Sequence, residues 1–92
     1  MKAKKKPVII DFFPINDIDL QLSEIQDWVK SFGDNFSDKF HMPQDKKLSE
    51  LYVLTLEGTS YTITNSDVII RGVQGEYYPC KKDIFEQTYD VL

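Results

Sequence analysis

A single cysteine and a single histidine in 92 residues leave little from which to build thiol or metal chemistry. One cysteine cannot close an internal disulfide, so the fold must hold without a bridge, as chains of a reducing compartment do. Cys80 and His41 cannot complete a zinc tetrahedron without carboxylates. The acidic segment from Asp34 to Asp45 lacks the alternating spacing and sixth-position glycine of a calcium loop. No metal and no cofactor is expected. Long apolar runs are missing too. Val8-Ile9-Ile10, cut off by Asp11 before Phe12-Phe13, falls far short of the ~20 residues that cross a bilayer. The lysines near the start imitate a signal-peptide n-region, but no small-residue cleavage pattern follows. A cytoplasmic protein without a membrane partner is expected.

Basic residues are scarce beyond position 6. Four of the eleven Lys and Arg are Lys2, Lys4, Lys5 and Lys6, so residues 7–92 carry seven basic against fifteen acidic groups, a net charge of −8. Such a body repels phosphate, which makes nucleic acid a poor partner. The organisation expected is a flexible basic tail over residues 1–6 and one domain over residues 7–92, with the tail a solvated terminus rather than a phosphate-binding arm. With 41% hydrophobic and 13% aromatic residues, the chain has material for a core.

The pattern predicts an α+β domain of antiparallel β-hairpins packed on one amphipathic helix, with a short C-terminal helical turn. PVIIDFFP, residues 7–14, is rich in β-branched and aromatic residues on both faces and reads as an interior strand. Ile18, Leu22, Ile25, Val29 and Phe32 line one helix face, and Gly33 is placed to end it. Asn16 or Asp17 could cap a long helix, whereas Ser23 with Gln26 makes a capping box for a shorter one starting near Glu24; the shorter helix is the one expected. Residues 34–50 read as a long loop. A turn at Glu57-Gly58 would pair Leu56 with Thr59, Leu54 with Tyr61 and Tyr52 with Ile63. Asn65-Ser66-Asp67 is a turn signal. A loop of Val73-Gln74-Gly75, with Gly75 left-handed, would pair Arg71 with Tyr77 and Ile70 with Tyr78. Asp83 and Glu86 suggest a cap for DIFEQ, followed by a final strand over residues 88–92. The core would then join Leu54, Leu56, Tyr61 and Ile63 to Ile25, Trp28, Val29 and Phe32, with Ile70, Tyr78 and Phe85 completing it.

Cys80 is the first residue to test as a nucleophile, because Lys81, Lys82 and a nearby helix start could favour thiolate. It lacks a base, since no spacing brings His41 near, and its strand face, shared with Tyr78, suits a small buried hydrophobe. Gly72 and Gly75 serve turn geometry better than phosphate binding, having no Lys-Ser/Thr pair after them. Arg71, Tyr77, Lys81 and Lys82 form the one concentrated cationic and aromatic group in the body. They are the candidate binding surface, since Tyr and Arg favour interfaces and rings beside cations stack on bases. A plain cross-strand Arg-Tyr pair followed by a basic helix start is the structural alternative.

An ordered set of short pieces runs through the second half of the chain: Leu56-Glu57-Gly58, Asp67 with Ile69-Ile70, Gly72-Val73-Gln74-Gly75-Glu76, Tyr78-Pro79-Cys80-Lys81, and Asp83-Ile84-Phe85-Glu86 with Thr88-Tyr89. Together with the opening KAKKKPVIIDFF it resembles a widespread family of short proteins encoded by bacteriophages and prophages, over about half of the chain. Members usually carry Pro-Gly where this chain has Asn65-Ser66, and proline where it has Lys82. The resemblance implies a viral origin and a host-cytoplasm location, with no particular reaction.

Three functional expectations follow. The first is a non-enzymatic phage accessory protein acting through contacts with a host or phage protein, inhibition of a host or defence factor included. The second is a module that sequesters a small nucleotide on the Arg71 cluster, and the third a purely structural phage protein. Self-association into a homo-oligomer is compatible with each.

Overall fold

The computed structural model describes residues 1–4, 7–42, 51–55 and 58–92. Over these residues the chain is an α+β fold of two three-stranded antiparallel sheets and three helices. In chain order these are β1 (Asp11–Pro14), α1 (Ile18–Ser31), α2 (Phe36–Lys39), β2 (Phe40–His41), β3 (Leu51–Leu54), β4 (Ser60–Ile63), β5 (Asp67–Arg71), β6 (Tyr77–Lys81) and α3 (Lys82–Thr88). The first sheet has the order β1-β5-β6 and the second β2-β3-β4.

β5 is the strand around which the layers form. Asp67, Val68, Ile69 and Ile70 are all buried, because both faces of this strand are covered. Ile69 points with Phe13 and Tyr77 into the main core, which also takes Ile15, α1 residues Ile18, Ile25 and Val29, and Phe40, Leu51, Val53 and Ile63 of the second sheet. Val68 and Ile70 point the other way, where Phe85 of α3 closes a smaller cluster with Phe12, Tyr78 and Cys80. Each fully buried aliphatic side chain is worth roughly 1.5–3 kcal/mol.

β1 corrects the expectation of an interior strand over residues 7–14. It covers only Asp11–Pro14 and lies at an edge. Asp11 pairs with Arg71, and the antiparallel continuation would set residue 10 against Gly72, where β5 has already ended in its turn. Residues 7–10 therefore have no partner on that side.

α1 is the longer helix, not the shorter one expected from Ser23. Asp17 is its N-cap, its carboxylate accepting from the backbone N–H groups of Asp19 (3.0 Å) and Leu20 (3.3 Å). A second acceptor comes from afar, as the Ile18 N–H donates to Asn65 Oδ1 at 3.0 Å. Two caps outweigh one local capping box. At the other end Gly33 takes φ 82°, as its position after the apolar stripe predicts. The presumed loop 34–50 is partly regular: Asn35 caps α2 by accepting from the Ser37 N–H (3.2 Å), and Phe40 and His41 then form β2. The rest of that stretch, residues 43–50, lies outside the described residues.

The two hairpins are built alike. Gly72 N–H donates to Glu76 O at 2.8 Å and Gly75 N–H to Gly72 O at 3.0 Å, giving the expected register of Arg71 with Tyr77 and Ile70 with Tyr78. The first hairpin repeats this arrangement, with Thr55 N–H donating to Thr59 O and Gly58 N–H to Thr55 O. Its register is Leu51 with Ile63, Tyr52 with Thr62 and Leu54 with Ser60, one residue away from that expected. A two-residue turn at Glu57-Gly58 would need left-handed backbone at both positions, and only glycine takes it without steric cost. Gly58 and Gly75, at φ 81° and 80°, supply one such position each. The shift turns β3 over. Leu51 and Val53 are buried, while Leu54 and Tyr61, expected in the core, are exposed. Leu56, also expected there, lies outside the described residues.

α3 starts without a side-chain cap from its N-cap Lys81, and the Asp83 carboxylate instead accepts from the next N–H, that of Ile84, at 2.9 Å. Thr88 ends the helix, and residues 89–92 form no strand.

Candidate functional site

The proposed surface of Arg71, Tyr77, Lys81 and Lys82 divides between the two ends of the β5–β6 hairpin. Arg71 and Tyr77 pair beside the turn, whereas Lys81 pairs with Asp67 at the far end and Lys82 begins α3. Tyr77 and Lys81 stand four positions apart along the strand, a span of roughly 13 Å. Each group is engaged differently.

Tyr77 is 1% exposed. Its ring lies in an aromatic cluster, 5.8 Å from that of Trp28 and 5.3 Å from that of Phe40, both edge-on. Its hydroxyl donates to Asp34 Oδ2 at 2.6 Å. Burial, and then the hydrogen bond to the Asp34 carboxylate, push the Tyr77 phenol up to about 12. Asp34 reaches this position because Gly33 turns the chain at the end of α1. The same Asp34 oxygen lies 3.6 Å from Arg71 Nε, an ion pair rather than a hydrogen bond, and the guanidinium sits over the Phe32 ring at 4.4 Å from its centroid. Arg71 thus has both its charge and its flat face occupied.

At the other end, the turn Thr64-Asn65-Ser66-Asp67 is a junction. Asp67 is 2% exposed, and its Oδ2 accepts from the Thr64 N–H (2.8 Å) and hydroxyl (3.2 Å). Its Oδ1 holds Lys81 Nζ at 3.1 Å. Asn65 caps α1, the Lys82 N–H donates to Ser66 O at 3.1 Å, and Lys82 Nζ donates to Asn16 Oδ1 at 3.2 Å. One turn therefore fixes the start of α1 and the start of α3.

Sequence reasoning did not single out the two carboxylates that organise these ends. Asp34 follows a helix-stop glycine and Asp67 closes a turn signal, both positions where a short acceptor side chain finds unpaired donors. That is a usable signal, though it does not say which distant cation will come.

Cys80 packs against the α3 cluster, half-buried. Burial, and then the carboxylates of Asp67 and Asp83, push its thiol up. The lysines that could have favoured thiolate are outweighed, Lys81 being held by Asp67. His41 lies on β2 in the other sheet, beside the Tyr52 ring. Burial, and then a hydrogen bond with Tyr89, also raise the Tyr78 phenol. Among the described residues, no three or more His, Cys, Asp or Glu are grouped to hold a metal ion, and no helix is long and apolar enough to cross a membrane.

No protein-family model, curated protein or solved structure matches the chain.

Proposed function

We propose that this chain is a bacteriophage or prophage accessory protein that acts in the host cytoplasm without catalysis, by laying an acidic surface against a basic surface of a host or defence protein. The observation that carries this reading is the division of charges. Arg71, Lys81 and Lys82 are turned to partners within the fold, while Glu24 and Asp27 on α1, Asp38 on α2 and Asp83 and Glu86 on α3 are exposed beside one exposed helix lysine, Lys30. An acidic exterior speeds encounter with basic partners and suppresses acidic ones. Sequestration of a nucleotide is less well supported, because the Tyr77 ring offers no open face for a base to stack on.

The test is a pull-down from bacterial lysate at low salt, comparing the native chain with the charge-reversed Glu24→Lys/Asp27→Lys chain. A protein retained by the native chain, released as salt rises and not retained by the variant is the expected result. Equal recovery by both chains, or none by either, refutes the proposal.

A further inference from the structure

We propose that two copies of this chain pair antiparallel along β1 and the residues just before it, joining their three-stranded sheets across a two-fold axis. The pairing is independent of the acidic contact proposed above, and it starts from the one open edge of the β1-β5-β6 sheet. β6, at the opposite edge, carries Pro79, which lacks a backbone donor, and it lies beside β3 and β4 of the second sheet. β1 has β5 on one side and, among the described residues, no strand on the other.

The segment leading into β1 has the chemistry of a strand that lacks a neighbour. Val8, Ile9 and Ile10 have high β-propensity, yet Val8 is 43% and Ile9 80% exposed. Between Pro7 and Pro14, strand alternation from the Ile15 N–H, which donates to Asp67 O of β5, turns the N–H groups of Val8, Ile10 and Phe12 to the open side. The same stretch borders an open apolar groove of about 570 Å³, lined also by Phe85, Val91 and Leu92, so exposed apolar surface lies beside this segment. A bare apolar edge of this kind templates pairing with another strand.

Charge identifies the occupant and its direction. Lys2 and Lys4 precede the segment, and Asp11 and Asp17 follow its aliphatic part. Antiparallel pairing of two copies brings the lysine end of each toward the aspartate end of the other, whereas parallel pairing sets like against like. Because a two-fold operator uses the same edge in both copies, this contact closes at two chains instead of growing into a filament.

Sedimentation equilibrium of the full chain tests this, and the expected particle has twice the 10.7 kDa chain mass at concentrations up to ~100 µM. Ile10→Pro removes a donor that faces the open edge, by alternation from the Ile15 N–H bonded to Asp67 O, and should give a monomer with unchanged far-UV circular dichroism. Asp11→Lys should weaken the dimer about tenfold, and raised salt should weaken the native dimer. Should Ile10→Pro disturb the fold, Val8→Lys takes its place as the monomerising variant. A native chain that stays monomeric, or a dimer that survives these substitutions in a folded chain, overturns the proposal.

Discussion

The Tyr77 hydroxyl offers the sharpest measurement on this fold, because Tyr77→Phe removes one oxygen and leaves the ring. The aromatic contacts with Trp28 and Phe40 stay, and what is lost is the 2.6 Å hydrogen bond to Asp34. A hydrogen bond to a charged acceptor contributes about 1.5–3 kcal/mol. Asp34 is partly exposed and keeps Arg71 beside it, so water can replace the missing donor and the lower end applies. We expect a loss of about 1–2 kcal/mol in urea unfolding with an unchanged m-value, or a fall in Tm of roughly 4–8 °C for each kcal/mol. The pH dependence gives a second reading. In the unfolded chain Tyr77 loses its proton near 10, and in the folded chain near 12. Below pH 10 both states keep the proton, and the stabilisation is intact. Between pH 10 and 12 only the unfolded chain gives it up, so stability falls with rising pH by at most ~1.4 kcal/mol per unit from this group. Tyr78 acts in the same sense, and Tyr77→Phe should therefore make the alkaline decline shallower without abolishing it. A variant as stable as the native chain at neutral pH, with the same alkaline decline, would refute the assignment.

Other perturbations probe the opposite end of the hairpin and the thiol. Lys81→Met should cost about 1–2 kcal/mol although Lys81 is exposed, because it strands the buried Asp67 carboxylate. In a double-mutant cycle with Asp67→Asn, chemical denaturation should show clear coupling, and simple additivity would argue against the pair. Asn65→Ala should lower stability by about 0.5–1 kcal/mol through loss of the acceptor for the Ile18 N–H, and should increase hydrogen exchange in the first turn of α1. Cys80 should react with iodoacetamide more slowly in the folded chain than in urea at neutral pH, the gap narrowing as pH rises; equal rates would contradict a raised thiol.

The elements most visible in the sequence were those decided locally. The stripe Ile18, Leu22, Ile25, Val29, Phe32 carries its own period, and Gly75 dictates its own turn, so α1's buried face and the register of Arg71 with Tyr77 could both be read directly. What was hidden depended on distant partners. The start of α1 rests on Asp17 and on a second acceptor, Asn65, 47 positions from Ile18, which no scan of residues 16–26 reveals. The extent of β1 is decided by where β5 ends, not by the β-propensity of Val8 and Ile9. The turnover of β3 came from one residue of loop length, a small error in sequence that exchanges the faces of a strand. The candidate surface failed to assemble for a similar reason: Arg71, Tyr77, Lys81 and Lys82 are close in sequence, but an extended hairpin spreads them to its two ends, where Asp34, Asp67 and Asn16 engage them.

The partnership of β1 with β5 also sets the order in which this chain can be built. Asp11 and Arg71 stand 60 positions apart, whereas β5 and β6 meet across a short turn. Contacts within a hairpin close in microseconds, but distant strands must first overcome a large loop entropy. The β5–β6 hairpin is therefore expected to act as the folding nucleus, and β1 to dock last. During synthesis, Asp11 to Pro14 would stay unpaired until β5 has emerged from the ribosome, which makes the stretch around Phe12 and Phe13 the point where a nascent chain is most exposed to chaperones and to misassembly.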